Sequence, residues 1–110
     1  MNSVEPQVKE LVESELLAAN VKFPQFNSEH EGFSVIHEEF DELMEEIQVM
    51  SDGVADMWGK IKKNQLNSTC VVINYNTAVN AACEAIQLAA MCRKMQDFME
   101  KKGKEGKDNG

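Results

Sequence analysis

The sequence predicts an all-α protein, a helical bundle of three to four helices that is completed by oligomerisation. Only two prolines, Pro6 and Pro24, interrupt its 110 residues, and such sparse punctuation favours long helices over many short strands. Apolar residues recur at steps of three and four residues, which is the helical period. Residues 71–99 contain neither glycine nor proline and are rich in alanine, the best helix former. The length fits one domain, which we place at residues 1–100.

The first helix is expected from about Pro6 to Ala19, with Pro6 suited to its first turn. The second begins after Ser28, because Ser28 and Glu31 have the spacing of a capping box. From there one apolar stripe follows the helical period and is expected to face the core. It comprises Phe33, Ile36, Phe40, Leu43, Ile47 and Met50.

We expect the second helix to end at residues 51–53, because the triplet Ser-Asp-Gly is typical of a helix boundary. A shorter helix containing Met57 and Trp58 would follow, then a polar connection at 64–68 and a last helix over 71–99. The segment 101–110, KKGKEGKDNG, is poor in apolar residues and is expected to be disordered.

The composition excludes several classes of function. Nineteen acidic residues against eleven basic ones give a net charge of −8, which argues against nucleic-acid or membrane partners, since phosphates demand a basic surface. No apolar run approaches the roughly 20 residues that span a bilayer, and none near the N-terminus resembles a signal peptide. Three cysteines without zinc-type spacing predict no disulfide framework. We therefore expect a reduced, cytoplasmic protein.

A run of acids in the second helix is the first candidate site. Six of the nine residues from 38 to 46 are acidic, and such a run alone is typical of a solvated helix face. At about 100° per residue, however, Glu39 and Glu46 border the apolar stripe, with Glu42 one step round. Like charges stacked at this spacing destabilise a helix unless a positive charge compensates. No lysine or arginine lies between Lys22 and Lys60, so the compensation must come from elsewhere.

Between Met57 and Gln96 the only acidic residue is Glu84, in the middle of the apolar stripe of the last helix. A carboxylate on a core face is costly unless it is paired, protonated or bound to a cation. One interpretation is a structural salt bridge to a lysine such as Lys62 or Lys63, or a bond to a terminal amide group. The other is that the two long helices pack along their stripes, so that Glu84 meets Glu39 and Glu42. Converging carboxylates favour a hard divalent cation, Mg²⁺ with Mn²⁺ as an alternative, which retains waters and shares phosphate oxygens of a substrate.

The segments HEGFSVIHEEFDELMEEI (30–47) and EAIQLAAM (84–91) resemble the all-α nucleoside triphosphate pyrophosphohydrolases, the MazG-like superfamily. The family pattern is Glu-Glu-x-x-Glu on one helix and Glu-x-x-Asp on a later one. Glu38, Glu39 and Glu42 match the first motif and Glu84 opens the second, but Gln87 stands where an aspartate is expected. The resemblance implies an oligomeric helical bundle that binds Mg²⁺ and cleaves a nucleotide between its α and β phosphates.

These observations assign roles to ten residues. Glu39, Glu42 and Glu84 are the expected metal ligands, and Glu38 or Glu46 orients or deprotonates the attacking water. Expected contacts to a nucleotide substrate are Asn80, Gln87, Lys62, Lys94 and Trp58, although Trp58 also has the spacing of a core residue. Two other functions remain open. One is a catalytically degenerate oligomer that only binds a cation, which Gln87 favours, and the other is a module whose acidic face binds a basic partner.

The back of the last helix is also apolar, so both of its sides need cover. Its small residues permit close approach of another helix, and we expect a homodimer or a dimer of dimers with a site that a second subunit completes. The residues of this back face are Val79, Ala82, Ile86, Ala89 and Ala90.

Overall fold

The computed structural model describes residues 2–108, with side chains described as far as Lys104. This part of the chain is all-helical and contains no strand, which confirms the predicted class. Three helices follow one another: α1 (Glu5–Lys22), α2 (Glu29–Lys62) and α3 (Ser68–Asp108). Among the described residues, no helix is both long enough and apolar enough to cross a membrane.

The start of α2 follows the predicted capping interaction in part. The Ser28 hydroxyl accepts a hydrogen bond from the Glu31 amide at 3.1 Å, which satisfies one of the free donors of the first turn. The Glu31 carboxylate does not close the box back onto Ser28; it accepts from the Asn27 side-chain amide at 3.0 Å. Pro6 lies in the first turn of α1, as expected.

The predicted break at 51–53 is wrong, because α2 continues without interruption to Lys62. Gly53 has no positive φ and serves instead as a point of close approach for α3. The Asn74 side-chain amide donates to the Gly53 carbonyl at 3.1 Å, and a Cβ at Gly53 would overlap Asn74 Oδ1. The hydrogen bond from Asn74 stabilises α2 at Gly53, so the helix continues through this residue.

α3 is longer than the expected 71–99. The Asn67 side chain accepts from the Cys70 amide at 2.9 Å and caps its N-terminal turn. At the other end the helix reaches Asp108, so helix is described over 101–108, where disorder was expected. Lys101 donates to Gln25 at 2.9 Å and Lys102 contacts Glu29 at 2.5 Å, which ties this extension to the loop before α2 and to the first residue of α2. Residues 109 and 110 lie outside the described part.

The apolar stripe predicted for α2 is not one face. Ile36, Leu43 and Met50 are half-buried, whereas Phe33, Phe40 and Ile47 are exposed. α3 covers the first set, and neither α1 nor α3 covers the second. The predicted core face therefore consists of two adjacent stripes, and only one of them packs against another helix of this chain.

α1 packs on α3 alone. A groove of about 820 Å³ between them is lined by Val8, Val12, Leu88 and Cys92, with Arg93 near its end. On the predicted back face of α3, Ala90 is fully buried while Val79 and Ala82 stay exposed. α1 therefore covers part of that face and leaves the rest open.

The molecule is elongated, measuring 69 × 27 × 25 Å. Its radius of gyration of 18.9 Å exceeds the roughly 13 Å of a compact domain of this length. Its accessible surface of 8215 Å² is also larger than the roughly 6,100 Å² expected for a compact monomer of this mass.

Candidate functional site

Three carboxylates meet where α2 packs against α3. Glu39, Glu42 and Glu84 each offer an oxygen, and these oxygens lie within 4.8 Å of one another. All three residues are half-buried. Glu39 and Glu42 share one side of α2 because they are three residues apart, and α3 places Glu84 across from them. We call these residues the carboxylate cluster.

Glu84 makes no salt bridge to Lys62 or Lys63 among the described residues; the charged groups that shift its pKa are acids. Partial burial raises the pKa of the Glu84 carboxyl first, and the facing carboxylates of Glu42, Glu46 and Glu45 raise it further. Burial is the largest cause because desolvation penalises the ionised form. The structural salt bridge considered for Glu84 is therefore not formed.

Glu39 behaves in the same way. Burial raises its pKa most, and the negative charges of Glu42, Glu84 and Glu38 add to the effect. Two members of the cluster thus hold protons more tightly than ordinary glutamates do. The cluster resists carrying its full negative charge, and a positive charge placed between its oxygens would relieve that cost.

Gln87 lies against the cluster, in the position where the resemblance leads one to expect an aspartate. In the amide orientation that satisfies its neighbours, its Nε2 donates to Glu84 Oε2 at 3.2 Å and to Glu39 Oε2 at 3.3 Å. An amide N–H stabilises the ionised form of a carboxylate, where an aspartate would oppose it. Gln87 therefore partly offsets the repulsion between Glu39 and Glu84.

The two candidate bases differ in exposure. Glu46 is half-buried and close enough to Glu84 to raise its pKa, whereas Glu38 is exposed and acts on Glu39. Glu45 also acts on Glu84, although the sequence analysis gave it no role. Its position three residues after Glu42, on the adjoining turn of α2, is the signal that points to it.

The predicted substrate contacts divide into near and distant residues. Gln87 touches the cluster, and Asn80 lies one turn before Glu84, exposed to solvent. Lys94 is elsewhere: it is 6% exposed, donates to the Phe23 carbonyl at 2.5 Å and lies 4.9 Å from the Phe26 ring centroid. Ten residues of helix place it about 15 Å from Glu84 along α3. It anchors the α1–α2 loop and does not reach the cluster.

Trp58 and Lys62 lie together at the far end of α2. The Lys62 ammonium sits 5.6 Å from the Trp58 ring centroid, and Trp58 is 59% exposed, so it is not a core residue. Nineteen residues of helix separate Trp58 from Glu39, a rise of about 28 Å. Within one chain, neither side chain reaches the carboxylate cluster.

The donor set of the cluster fits a hard divalent cation. It consists of carboxylate oxygens alone, without histidine or cysteine, which is the preference of Mg²⁺ and not of Zn²⁺. Mg²⁺ in phosphate sites usually takes one or two carboxylates and keeps several waters, so three converging carboxylates are enough to hold it.

The fold and the site thus define an all-α protein with a carboxylate cluster between its two long helices. Comparison with protein-family models, with curated proteins and with solved structures finds no match to this chain.

Proposed function

We propose that this protein is a Mg²⁺-dependent nucleotide pyrophosphohydrolase, which converts a nucleoside or deoxynucleoside triphosphate and water to a monophosphate and pyrophosphate. The observation that carries the proposal is the convergence of Glu39, Glu42 and Glu84 oxygens within 4.8 Å. Carboxylates of raised pKa at a half-buried helix junction are typical of functional sites. The resemblance of segments 30–47 and 84–91 to the MazG-like superfamily adds the substrate class.

Glu39, Glu42 and Glu84 are the residues that would hold the ion. When bound, Mg²⁺ supplies positive charge to the phosphate oxygens of the substrate. The proton of the attacking water passes to Glu46, which is half-buried beside Glu84, while Glu38 serves as the more exposed alternative. The water oxygen forms a bond to a phosphorus of the anhydride between the α and β phosphates, that anhydride bond breaks, and pyrophosphate leaves.

A second candidate function is favoured by Gln87. Its amide donates to both Glu39 and Glu84, so the cluster is partly satisfied by the protein itself. This arrangement suits a catalytically degenerate relative that binds a cation or the basic surface of a partner without hydrolysis. The two candidates differ in one measurable quantity, the release of pyrophosphate.

The test is to incubate the protein with each triphosphate and Mg²⁺ and to measure pyrophosphate. Glu39→Gln and Glu84→Gln are expected to lower the rate on the order of 100-fold or more, since each removes a charged ligand of the ion that would stabilise the reacting phosphate. Glu100→Gln, which removes an exposed acid from the same helix as Glu84, is the matched control and should not change the rate. An active wild type whose rate survives Glu84→Gln would refute the site, and an inactive wild type would leave the degenerate alternative.

A further inference from the structure

A small pocket lies where the end of α1 and the loop that follows it meet α3. Its volume is about 140 Å³, and it is lined by Asn20, Pro24, Gln25, Lys94, Asp97 and Phe98. Ten residues of helix separate Lys94 from Glu84, a rise of about 15 Å, so this pocket is distinct from the carboxylate cluster. We call it the loop pocket.

The loop pocket contains a buried cation without a counter-ion. Lys94 is 6% exposed; its Nζ donates to the Phe23 carbonyl and lies 4.9 Å from the Phe26 ring centroid. The ion pairs at this end of α3 use Arg93 and Lys102, and Lys94 forms none among the described residues. An ammonium has three N–H donors. One carbonyl and one ring compensate its removal from water less well than an anion would.

The loop pocket also offers acceptors. Asn20 lines it, and the Oδ1 atom of Asn20 is buried and receives no hydrogen bond among the described residues. Asp97 lines it as well, with its Oδ1 bonded to Arg93 at 2.6 Å. Buried polar atoms in folded proteins nearly always have a partner. An oxygen without one, on a residue that lines a pocket, indicates a donor that comes from outside the chain.

We propose that the loop pocket binds a small oxyanion that keeps a hydroxyl hydrogen at neutral pH, of which hydrogen phosphate is the simplest. An anionic oxygen accepts from the Lys94 ammonium, and the hydroxyl donates to Asn20 Oδ1. A cavity of about 10–15 Å³ suffices for one water, so about 140 Å³ has room for a tetrahedral ion. Sulfate, which has lost its hydrogens at this pH, satisfies the lysine but presents another acceptor to the asparagine oxygen.

A wider cleft adjoins the loop pocket, and its charge favours an anion. Gln25 and Phe98 line both spaces. The outer cleft, of about 550 Å³, adds the N-terminal turn of α2 together with Lys101 and Lys102. Glu29 neutralises Lys102. Lys101 donates to the uncharged Gln25 side chain, and the N-terminus of α2 carries partial positive charge. In a chain of net charge −8, this entrance attracts anions that most of the surface repels.

The test is a titration with inorganic phosphate at pH 7, after removal of divalent cations and at constant ionic strength. A ligand that binds only the folded state raises the melting midpoint, and we expect a rise that saturates. Phosphate and sulfate also stabilise proteins without specific binding, so saturation is the criterion. Calorimetry should show sulfate binding at least about tenfold more weakly, because it makes one hydrogen bond fewer. No saturable effect of phosphate, or equal affinities for the two ions, would overturn the proposal.

Two variants locate the site. Asn20→Leu preserves the approximate shape of the side chain and removes the unpaired oxygen, so it should fold at least as well as the wild type and bind phosphate about tenfold more weakly. Lys94→Met should abolish saturable binding, although it also removes the bond to the Phe23 carbonyl. Gln7→Leu and Lys104→Met, at exposed positions on the same two helices, are the matched controls and should bind as the wild type does. Phosphate affinity that neither Asn20→Leu nor Lys94→Met lowers would refute the site.

This site does not rest on the proposed function, because it uses no residue of the carboxylate cluster and needs no divalent cation. Glu84→Gln should therefore bind phosphate with wild-type affinity in the same titration. A chain that binds phosphate in this way but releases no pyrophosphate would reject the proposed function and leave the loop pocket intact. Loss of phosphate binding in Glu84→Gln would place the ion at the cluster and overturn the assignment to the loop pocket.

Discussion

Glu42 on α2 and Glu84 on α3 place carboxylate oxygens within 4.8 Å of each other, and Glu42 contributes to the raised pKa of Glu84. Two acids brought this close by helix packing oppose that packing when both are ionised. The junction of the two long helices is therefore sensitive to protons, to cations and to the charge of its neighbours. The following predictions use that sensitivity and the close packing near Gly53.

Stability is expected to rise as the pH falls from 7 towards 4.5. The pKa values of Glu39 and Glu84 are raised in the folded chain, so their contribution is fully present below the unfolded value near 4.5 and is lost as pH rises through the folded pKa. Glu29 and Asp56 have lowered pKa values and act below this window. The midpoint of thermal melts, followed across this window, should therefore rise as the pH falls.

A substitution can remove the negative charge of Glu84 permanently, where low pH removes it by protonation. Glu84→Gln should raise the melting midpoint at pH 7 and flatten its dependence between pH 5 and 7. Glu10→Gln, which removes an exposed acid on α1, should leave both unchanged. Equal changes in the two variants would mean that net charge, and not the cluster, governs the effect.

Mg²⁺ is expected to stabilise the wild-type chain in the absence of nucleotide. A ligand that binds only the folded state raises the midpoint by an amount that grows with its concentration, and the cluster exists only when α2 and α3 are packed. Titration of Mg²⁺ and Mn²⁺ during thermal melts measures this shift. The shift should be absent in Glu84→Gln; its persistence there would place any bound ion elsewhere.

Gln87→Asp is expected to exchange stability for metal affinity. The variant loses two amide hydrogen bonds to Glu39 and Glu84 and adds a negative charge, so it should be less stable by about 1 kcal/mol or more without metal. Its stabilisation by Mg²⁺ should exceed that of the wild type, because a fourth carboxylate joins the cluster. Gln96→Asp, at an exposed position on the same helix, provides the control. A variant that gains no Mg²⁺ response would show that Gln87 does not face the ion.

Two glycines of α2 should respond to alanine in opposite directions. Nothing lies within 4 Å of a Cβ at Gly59, so Gly59→Ala should stabilise by about 0.5–1 kcal/mol through helix propensity. At Gly53 the added Cβ would overlap Asn74 Oδ1, and Asn74 is buried and bonded to the Gly53 carbonyl. Gly53→Ala should therefore destabilise by about 1–3 kcal/mol. Chemical denaturation of both variants measures the difference, and a stabilising Gly53→Ala would contradict the close approach described here.

Local chemistry in the sequence was sufficient for some features of the fold. Helical spacing placed Glu39 and Glu42 beside the packing stripe and Glu84 within the facing one, and the structure brings their oxygens together. The start of α2 at Ser28 followed from a capping interaction only three residues long. These features depend on residues that are neighbours on one helix or on the simplest pairing of two helices.

Other features depend on contacts between distant segments. From the sequence, Gly53 is typical of a helix end, because its bond from Asn74 is visible only in the structure. Lys94 likewise has the position of a site cation in the sequence, whereas the path of the loop places the Phe23 carbonyl against it. Phe33 and Ile36 are both apolar, and periodicity does not tell which of them faces the same chain.

Within the described chain, α1 packs against α3 only. The C-terminal end of α1 is anchored by a hydrogen bond that the buried Lys94 ammonium donates to the Phe23 carbonyl. A helix attached in this way can detach and re-dock while the junction of the other two stays closed. Amide protons of α1 should accordingly exchange with deuterated solvent well before those near Glu39 and Glu84. Lys94→Met should speed exchange in α1 and leave exchange near Glu39 and Glu84 unchanged.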